Sequence, residues 1–113
     1  MGKTIGNKSA CMNTVLGLAQ EIAITSEILD AVSKLRTRAA QHAEMESLIL
    51  MLEMNLKEFK KGSKQNCGID TTDEGEWGRV ALLVEQGIND MKVGDIDGAL
   101  KSLDKALYDT VRV

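Results

Sequence analysis

The longest regular pattern in the chain is a segment from Leu18 to Lys61 that contains no glycine. It consists mainly of residues that lose little side-chain freedom in a helix, and the chain has no proline to interrupt it. Apolar or small side chains recur at spacings of three and four residues in two runs: Ile24, Ile28, Ala31 and Leu35, and then Met45, Ile49, Leu52, Leu56 and Phe59. Arg38 and His42 occupy the two positions that continue the same spacing between these runs. This spacing predicts one apolar stripe on a helix that packs against another helix.

A second apolar stripe runs beside the first in the N-terminal part of this pattern. Its members are Val15, Leu18, Ile22, Leu29 and Val32. The stripe stops after Val32, because positions 36, 46, 53 and 57 carry charged side chains. The N-terminal half therefore has a wide apolar face, and we expect it to be the most buried part of the chain.

Residues 36–44 decide between two architectures. They include no Gly, Asn, Asp or Pro, so turn chemistry is absent, and their Arg, Ala and Gln residues favour helix. We therefore predict one helix from residue 9 to 61, about 80 Å long. A break near 36–44 into a helical hairpin is the alternative. Residues 1–8 are predicted to be frayed, and Gly62 is predicted as the C-cap of the long helix.

Residues 62–71 have the composition of a loop, and residues 72–111 show the pattern of an αα-hairpin. Thr71 and Glu74 have the spacing of a capping box at the start of the first helix of this hairpin. Its apolar positions are Trp77, Val80, Ala81, Val84, Ile88 and Met91. A tight turn at Val93–Gly94 follows, and Asp95 is predicted to cap the last helix. The stripe of that helix is Ile96, Leu100, Leu103, Leu107 and Val111.

The hairpin resembles a single tetratricopeptide repeat between Val80 and Leu107. Gly87 falls at the close-approach position of the first helix, Gly94-Asp95 at the turn, and Ala99, Leu103 and Ala106 at small-large-small positions. Gln86 and Asp90 depart from the pattern, the closing proline is missing, and no second copy exists. The resemblance implies a close helix pair, which we interpret as a common packing solution, and a peptide-binding repeat is the alternative. One repeat cannot bury its own face, so we expect the hairpin to pack on the long helix.

Composition and charge narrow the class of protein. Of 113 residues, 43% are hydrophobic and only 3% aromatic, which suits helix-on-helix packing and predicts a single all-α domain. The net charge is −3, and no segment has the basic density typical of nucleic-acid binding. No apolar run is long enough for a transmembrane helix. An 80 Å stripe is too long for the hairpin to cover, so we expect a homo-oligomeric helical bundle.

The cysteines and the N-terminus bear on the compartment and on metal binding. The first residues lack the apolar run of a signal peptide, so we predict a cytoplasmic protein with Cys11 and Cys67 reduced. Neither cysteine is paired with His42 at metal-ligand spacing, and zinc needs about four donors. No phosphate loop, nucleophile elbow or dinucleotide fingerprint is present. We predict no metal and no cofactor.

One pair of residues offers an enzymatic hypothesis. Arg36 and His42 have the spacing of the Arg…His pair in the HEPN family of helical ribonucleases. The resemblance implies acid–base cleavage of RNA by a dimer. On one continuous helix, however, these two side chains diverge by about 120°. In that case Arg38 and His42 form a polar layer that fixes the register of packed helices, or part of a binding surface, and Arg36 is solvated.

We therefore predict a small, non-enzymatic protein without catalytic residues that self-associates and binds a protein partner, as adaptors, chaperones and phage-encoded inhibitors do. The candidate binding residues are Arg38, His42, Met45, Ile49 and Leu52. Met45 also belongs to a methionine-rich group with Met51 and Met54, which suits either an adaptable surface or core filling. Two alternatives remain: an oligomer that sequesters a small ligand between subunits, and a HEPN-like ribonuclease.

Overall fold

A computed structural model of the chain contains four helices within the residues that it describes, which are 2–71 and 75–111, with side chains from Ser9 onward. The helices are α1 (Gly2–Val32), α2 (Arg38–Cys67), α3 (Glu76–Lys92) and α4 (Ile96–Thr110). No β-strand occurs in these two ranges, and the all-α prediction is confirmed. The prediction of a frayed N-terminus is wrong for residues 2–8, which belong to α1. None of the described helices is long and apolar enough to cross a membrane.

The favoured prediction of one helix from residue 9 to 61 is wrong, because the chain turns at residues 33–37. Thr37 is extended there (φ −120°, ψ 149°), and its Oγ1 accepts a hydrogen bond of 3.1 Å from the Ala40 N–H. The Gln41 side chain also donates to the Leu35 carbonyl at 3.2 Å. These bonds satisfy backbone groups on both sides of the break. The helical hairpin, which was the alternative, is thus present, and its turn begins a few residues earlier than expected.

The other end of α2 also differs from the prediction. Gly62 is not a C-cap, because the helix continues to Cys67 and ends at Gly68, which has the left-handed conformation (φ 66°). Gly62 instead marks a close contact between α2 and α1. A Cβ at this position would lie 2.9 Å from Thr14 Oγ1, so only a glycine lets the two helices approach so closely here.

The four helices pack as a ring in which each has two main neighbours. Helix α1 packs on α2 and α4, and α3 packs on the same two helices. With short connections this is the arrangement of an antiparallel up-and-down bundle, 56 × 23 × 19 Å in extent. Two ion pairs link α2 to α3: Lys60 to Glu85 at 2.7 Å and Lys92 to Glu53 at 3.2 Å.

The long hairpin of α1 and α2 extends beyond the short hairpin of α3 and α4. Trp77, at the start of α3, stacks on Phe59 with ring centroids 5.6 Å apart. Cys67 lies eight residues further along α2, about 12 Å past this stack. There it forms a disulfide with Cys11. The prediction that both cysteines are reduced is therefore wrong.

The short hairpin agrees with its sequence pattern. Gly94 has a positive φ of 80°, and the Gly98 N–H donates to Asp95 Oδ1 at 2.9 Å, so the turn and the cap are confirmed. Gly87 is buried, and a Cβ there would lie 2.9 Å from Leu103 Cδ2, as the close-approach alignment requires. The start differs: α3 begins at Glu76 after Gly75, while residues 72–74, including Glu74 of the predicted capping box, lie outside the described residues.

The core identifies which apolar stripe of α1 is buried. It is the second stripe, since Leu18, Ile22, Leu29 and Val32 are at most 3% exposed. On α2 the core residues are Met45, Leu48, Leu52, Leu56 and Phe59. The first stripe of α1 lies outside this core, which corrects the prediction that it forms the main packing surface.

Candidate functional site

The five predicted binding residues occupy successive turns at the start of α2, but they do not form one surface. Met45 and Leu52 are core residues, 3% and 0% exposed, and Ile49 is half-buried against the core. Arg38 and His42 are exposed. The proposed polar layer on a continuous helix does not exist, because α2 begins at Arg38. Ile49 and Leu52 thus serve packing within the chain.

Three of the five residues are brought together in what we call the turn cleft. It is an open depression of about 390 Å³ where the start of α2 meets the α3–α4 turn, lined by Arg38, Ala39, Gln41, His42, Met45, Lys92, Val93 and Gly94. Lys92 is held by Glu53, and His42 Nε2 lies 3.6 Å from Glu46 Oε1. Arg38 forms no ion pair within the described residues. Because the carboxylates of Glu46 and Glu53 lie beside it, the turn cleft has little excess positive charge.

The turn cleft does not bring the ribonuclease pair together. His42 lines it, but the arginine beside His42 is Arg38, whereas Arg36 lies in the exposed turn before α2. The eight lining residues of the turn cleft include no carboxylate or hydroxyl group, although the carboxylates of Glu46 and Glu53 lie beside His42 and Lys92. Within the described residues there is also no cluster of three His, Cys, Asp or Glu side chains that could hold a metal ion.

A second feature is a group of exposed apolar side chains along α1, the following turn and α2, which we call the outer seam. Its members are Ile24 (49% exposed), Ile28 (42%), Leu35 (39%), Met51 (50%) and Met54 (69%). The first three are the predicted main stripe of α1. Met51 and Met54 are the exposed members of the methionine-rich group, and Met45 is its buried member.

Helical register places two of these side chains, Ile28 and Met51, on the two sides of one groove. Thr14 of α1 contacts Gly62 of α2, so both positions face the contact between the two helices. Ile28 lies fourteen residues after Thr14, and Met51 eleven residues before Gly62. At 100° per residue, Ile28 points within about 40° of the direction of Thr14 around α1, and Met51 points within about 40° of the direction of Gly62 around α2. Because Ile28 and Met51 are exposed, they flank the outer side of the α1–α2 contact, away from the core.

Sequence reasoning found the residues of the outer seam on α1 but assigned them to the core. The signal that distinguishes them is charge. Glu21 lies three residues before Ile24 and seven before Ile28, so it continues their stripe toward the N-terminus. A carboxylate at such a position is costly to bury unless it is paired, which disfavours this stripe as the core face. The second stripe contains no charged residue.

Comparison with protein-family models, curated proteins and solved structures finds no match for this chain. The likeness of the α3–α4 hairpin to a tetratricopeptide repeat is thus confined to local features, namely the glycine contact and the turn.

Proposed function

We propose that this protein acts by binding, without catalysis, and that it self-associates through the outer seam. The observation that carries the proposal is the group of exposed apolar side chains on one side of the α1–α2 hairpin. Contiguous exposed apolar patches are uncommon on soluble monomers and typically mark interaction sites. Helix α3 packs on α2 and α4 packs on α1, both on the far side of the hairpin, so neither covers this surface.

The chemistry of the outer seam favours a protein partner. Its five members are Ile, Leu and Met, which cannot transfer a proton or attack a substrate. Methionine side chains are flexible and polarizable, so Met51 and Met54 can adapt to another protein's surface. These features support an adaptor, chaperone or inhibitor type of function over the ribonuclease. They do not require a small ligand between subunits.

The disulfide bears on the proposed compartment. Disulfides persist in oxidising surroundings and are uncommon in the reducing cytoplasm. The bond between Cys11 and Cys67 therefore supports an oxidising setting, although the sequence led us to expect a cytoplasmic protein with free thiols.

Sedimentation equilibrium at about 10–100 µM tests the proposal. We expect the wild type to show twice the chain mass of 12.3 kDa. Ile28→Lys should return the mass to that of one chain, because it places a charge in the middle of the outer seam. The matched control is Leu82→Lys, which replaces an exposed leucine on α3 (55%, against 42% for Ile28) and should leave the mass unchanged. A wild-type mass of one chain across this range overturns the proposal.

A further inference from the structure

We infer that the outer seam binds a second copy of this chain in antiparallel orientation, with Glu21 of each copy paired with Arg36 of the other. The inference rests on the proposed self-association and adds its partner, orientation and register.

The outer seam has an acidic end on α1 and a basic end in the turn that follows α1. Positions 21, 24, 28, 31 and 35 follow one another in steps of three and four, so Glu21 and Leu35 bound the apolar residues between them. Leu35 extends the last turn of α1, since its N–H donates to the Val32 carbonyl at 3.0 Å, and Arg36 comes next. Ile28 is the midpoint, seven residues from each end.

On the α1 side of this surface, the charges are separated by sign. Between Ser9 and Ser33 the charged residues of α1 are all acidic, namely Glu21, Glu27 and Asp30. The turn and the first residue of α2 then supply only bases, namely Lys34, Arg36 and Arg38. Lys34 is held by Asp30 at 3.6 Å. Arg36 and Glu21 have no ion pair within the described residues.

Glu21 and Arg36 cannot neutralise each other within one chain. Eleven residues of α1 and three residues of the following turn separate Glu21 from Leu35, which is about 21 Å at the rise of a helix. That is more than twice the Debye length of about 8 Å at physiological ionic strength, so the attraction between them is screened. Each charge is therefore available to a partner molecule.

The orientation of the second copy follows from this separation. In a parallel pair, Glu21 lies beside the partner's Glu21 and Arg36 beside the partner's Arg36, so like charges repel at both ends. A two-fold axis through Ile28 reverses the second copy and places each Glu21 beside the partner's Leu35 and Arg36. The apolar residues then meet in the middle, and the pairing is the same in both directions, as two-fold symmetry requires.

Disulfide trapping tests the orientation with both charges intact. In the antiparallel pair Ile24 of one copy faces residues 31 and 32 of the other, so a mixture of Ile24→Cys and Ala31→Cys proteins should form mixed dimers on mild oxidation. A bond requires Cα atoms within about 7 Å, which excludes Ile24→Cys or Ala31→Cys homodimers as the main product. Predominant homodimers overturn the inference. The Cys11–Cys67 bond stays in place, and Leu82→Cys controls for random collision.

Charge reversal tests the pairing of Glu21 with Arg36. Glu21→Arg and Arg36→Glu should each raise the dimer dissociation constant about tenfold, because each converts two attractions into two repulsions. The double variant should return to within about threefold of the wild type. The control, Lys101→Glu on α4, should have no effect. If the wild type dimerises but the double variant does not recover, the inference fails while self-association stands. If the wild type is monomeric, the proposed function itself fails.

Discussion

Cys11 and Cys67 join the first part of α1 to the last residue of α2, with their Cα atoms 5.1 Å apart. The bond lies past the Phe59–Trp77 stack, where α2 has already extended beyond the start of α3. The long hairpin is therefore held covalently at the end that the short hairpin leaves uncovered. The bond spans 56 residues in sequence, so it greatly restricts the unfolded chain.

Removing this disulfide should lower the free energy of unfolding by about 4 kcal/mol, the loop-entropy value for a loop of this length. The measurement is urea denaturation of the wild type and of the double variant Cys11→Ser/Cys67→Ser. Reduction of the wild type with dithiothreitol should lower its urea midpoint as far as the double substitution does. An unchanged midpoint after reduction, with free thiols confirmed by labelling, would contradict the prediction.

Gly87 should resist substitution because it lies against Leu103. A Cβ at Gly87 would come within 2.9 Å of Leu103 Cδ2, and Leu103 is fully buried. We expect Gly87→Ala to destabilise by about 1 kcal/mol and Gly87→Leu by about 3 kcal/mol in thermal or urea unfolding. Gly17→Ala is the matched control, since nothing lies within 4 Å of a Cβ there, and it should stabilise α1 by about 1 kcal/mol. Equal effects at the two glycines would count against the close contact.

Thr25→Val should stabilise the protein. Thr25 is 0% exposed, and its Oγ1 has no hydrogen-bond partner in the structure. Valine keeps the shape and removes the unsatisfied hydroxyl, so we expect a gain of about 1–2 kcal/mol in urea unfolding. Ser63→Ala is the control. Ser63 is equally buried, but its Oγ donates to the Phe59 carbonyl at 2.6 Å. Removal of this hydroxyl should therefore lower the free energy of unfolding by about 1 kcal/mol. A destabilised Thr25→Val protein would show that the hydroxyl is satisfied in solution.

We expect no ribonuclease activity, because His42 lines the turn cleft and Arg36 does not. A fluorogenic RNA substrate should remain intact with the wild type, Arg36→Ala and His42→Ala alike. The assay is best run at a protein concentration at which all three are dimeric, so that altered assembly does not affect the comparison. Cleavage by the wild type that both substitutions abolish would reinstate the nuclease hypothesis.

The α3–α4 hairpin was predictable from the sequence because the residues that determine it are close together in the chain. The Val93–Gly94 turn, the Asp95 cap and the Gly87 contact involve residues close in sequence, and each has a distinctive residue type. The break between α1 and α2 was predicted only as the alternative to one continuous helix. The signal for the break is one N-cap residue, Thr37, in a stretch of strong helix formers. The second hydrogen bond that stabilises the turn comes from the Gln41 side chain. Helix propensity outweighed that single signal.

The candidate site was predictable in part. Its apolar residues on α1 were identified by their spacing, but their burial was misjudged, and Leu52 was assigned to a surface that does not contain it. The extension of α2 through Gly62 was missed because glycine usually ends a helix. Here the close approach of Thr14, more than forty residues away in sequence, accounts for that glycine.

By itself the sequence determined the helical class and both apolar stripes of the N-terminal half, since helix propensity and periodicity depend on neighbouring residues alone. Which stripe is buried was decided by the tertiary structure, because burial depends on where α2 and α4 pack, and in the sequence only the single charge of Glu21 distinguishes the two stripes. The Cys11–Cys67 bond was likewise decided by the fold. A disulfide requires its two cysteines to come within bonding distance. Cys11 and Cys67 are 56 residues apart in sequence, and the reversal of the chain at residues 33–37 brings them together.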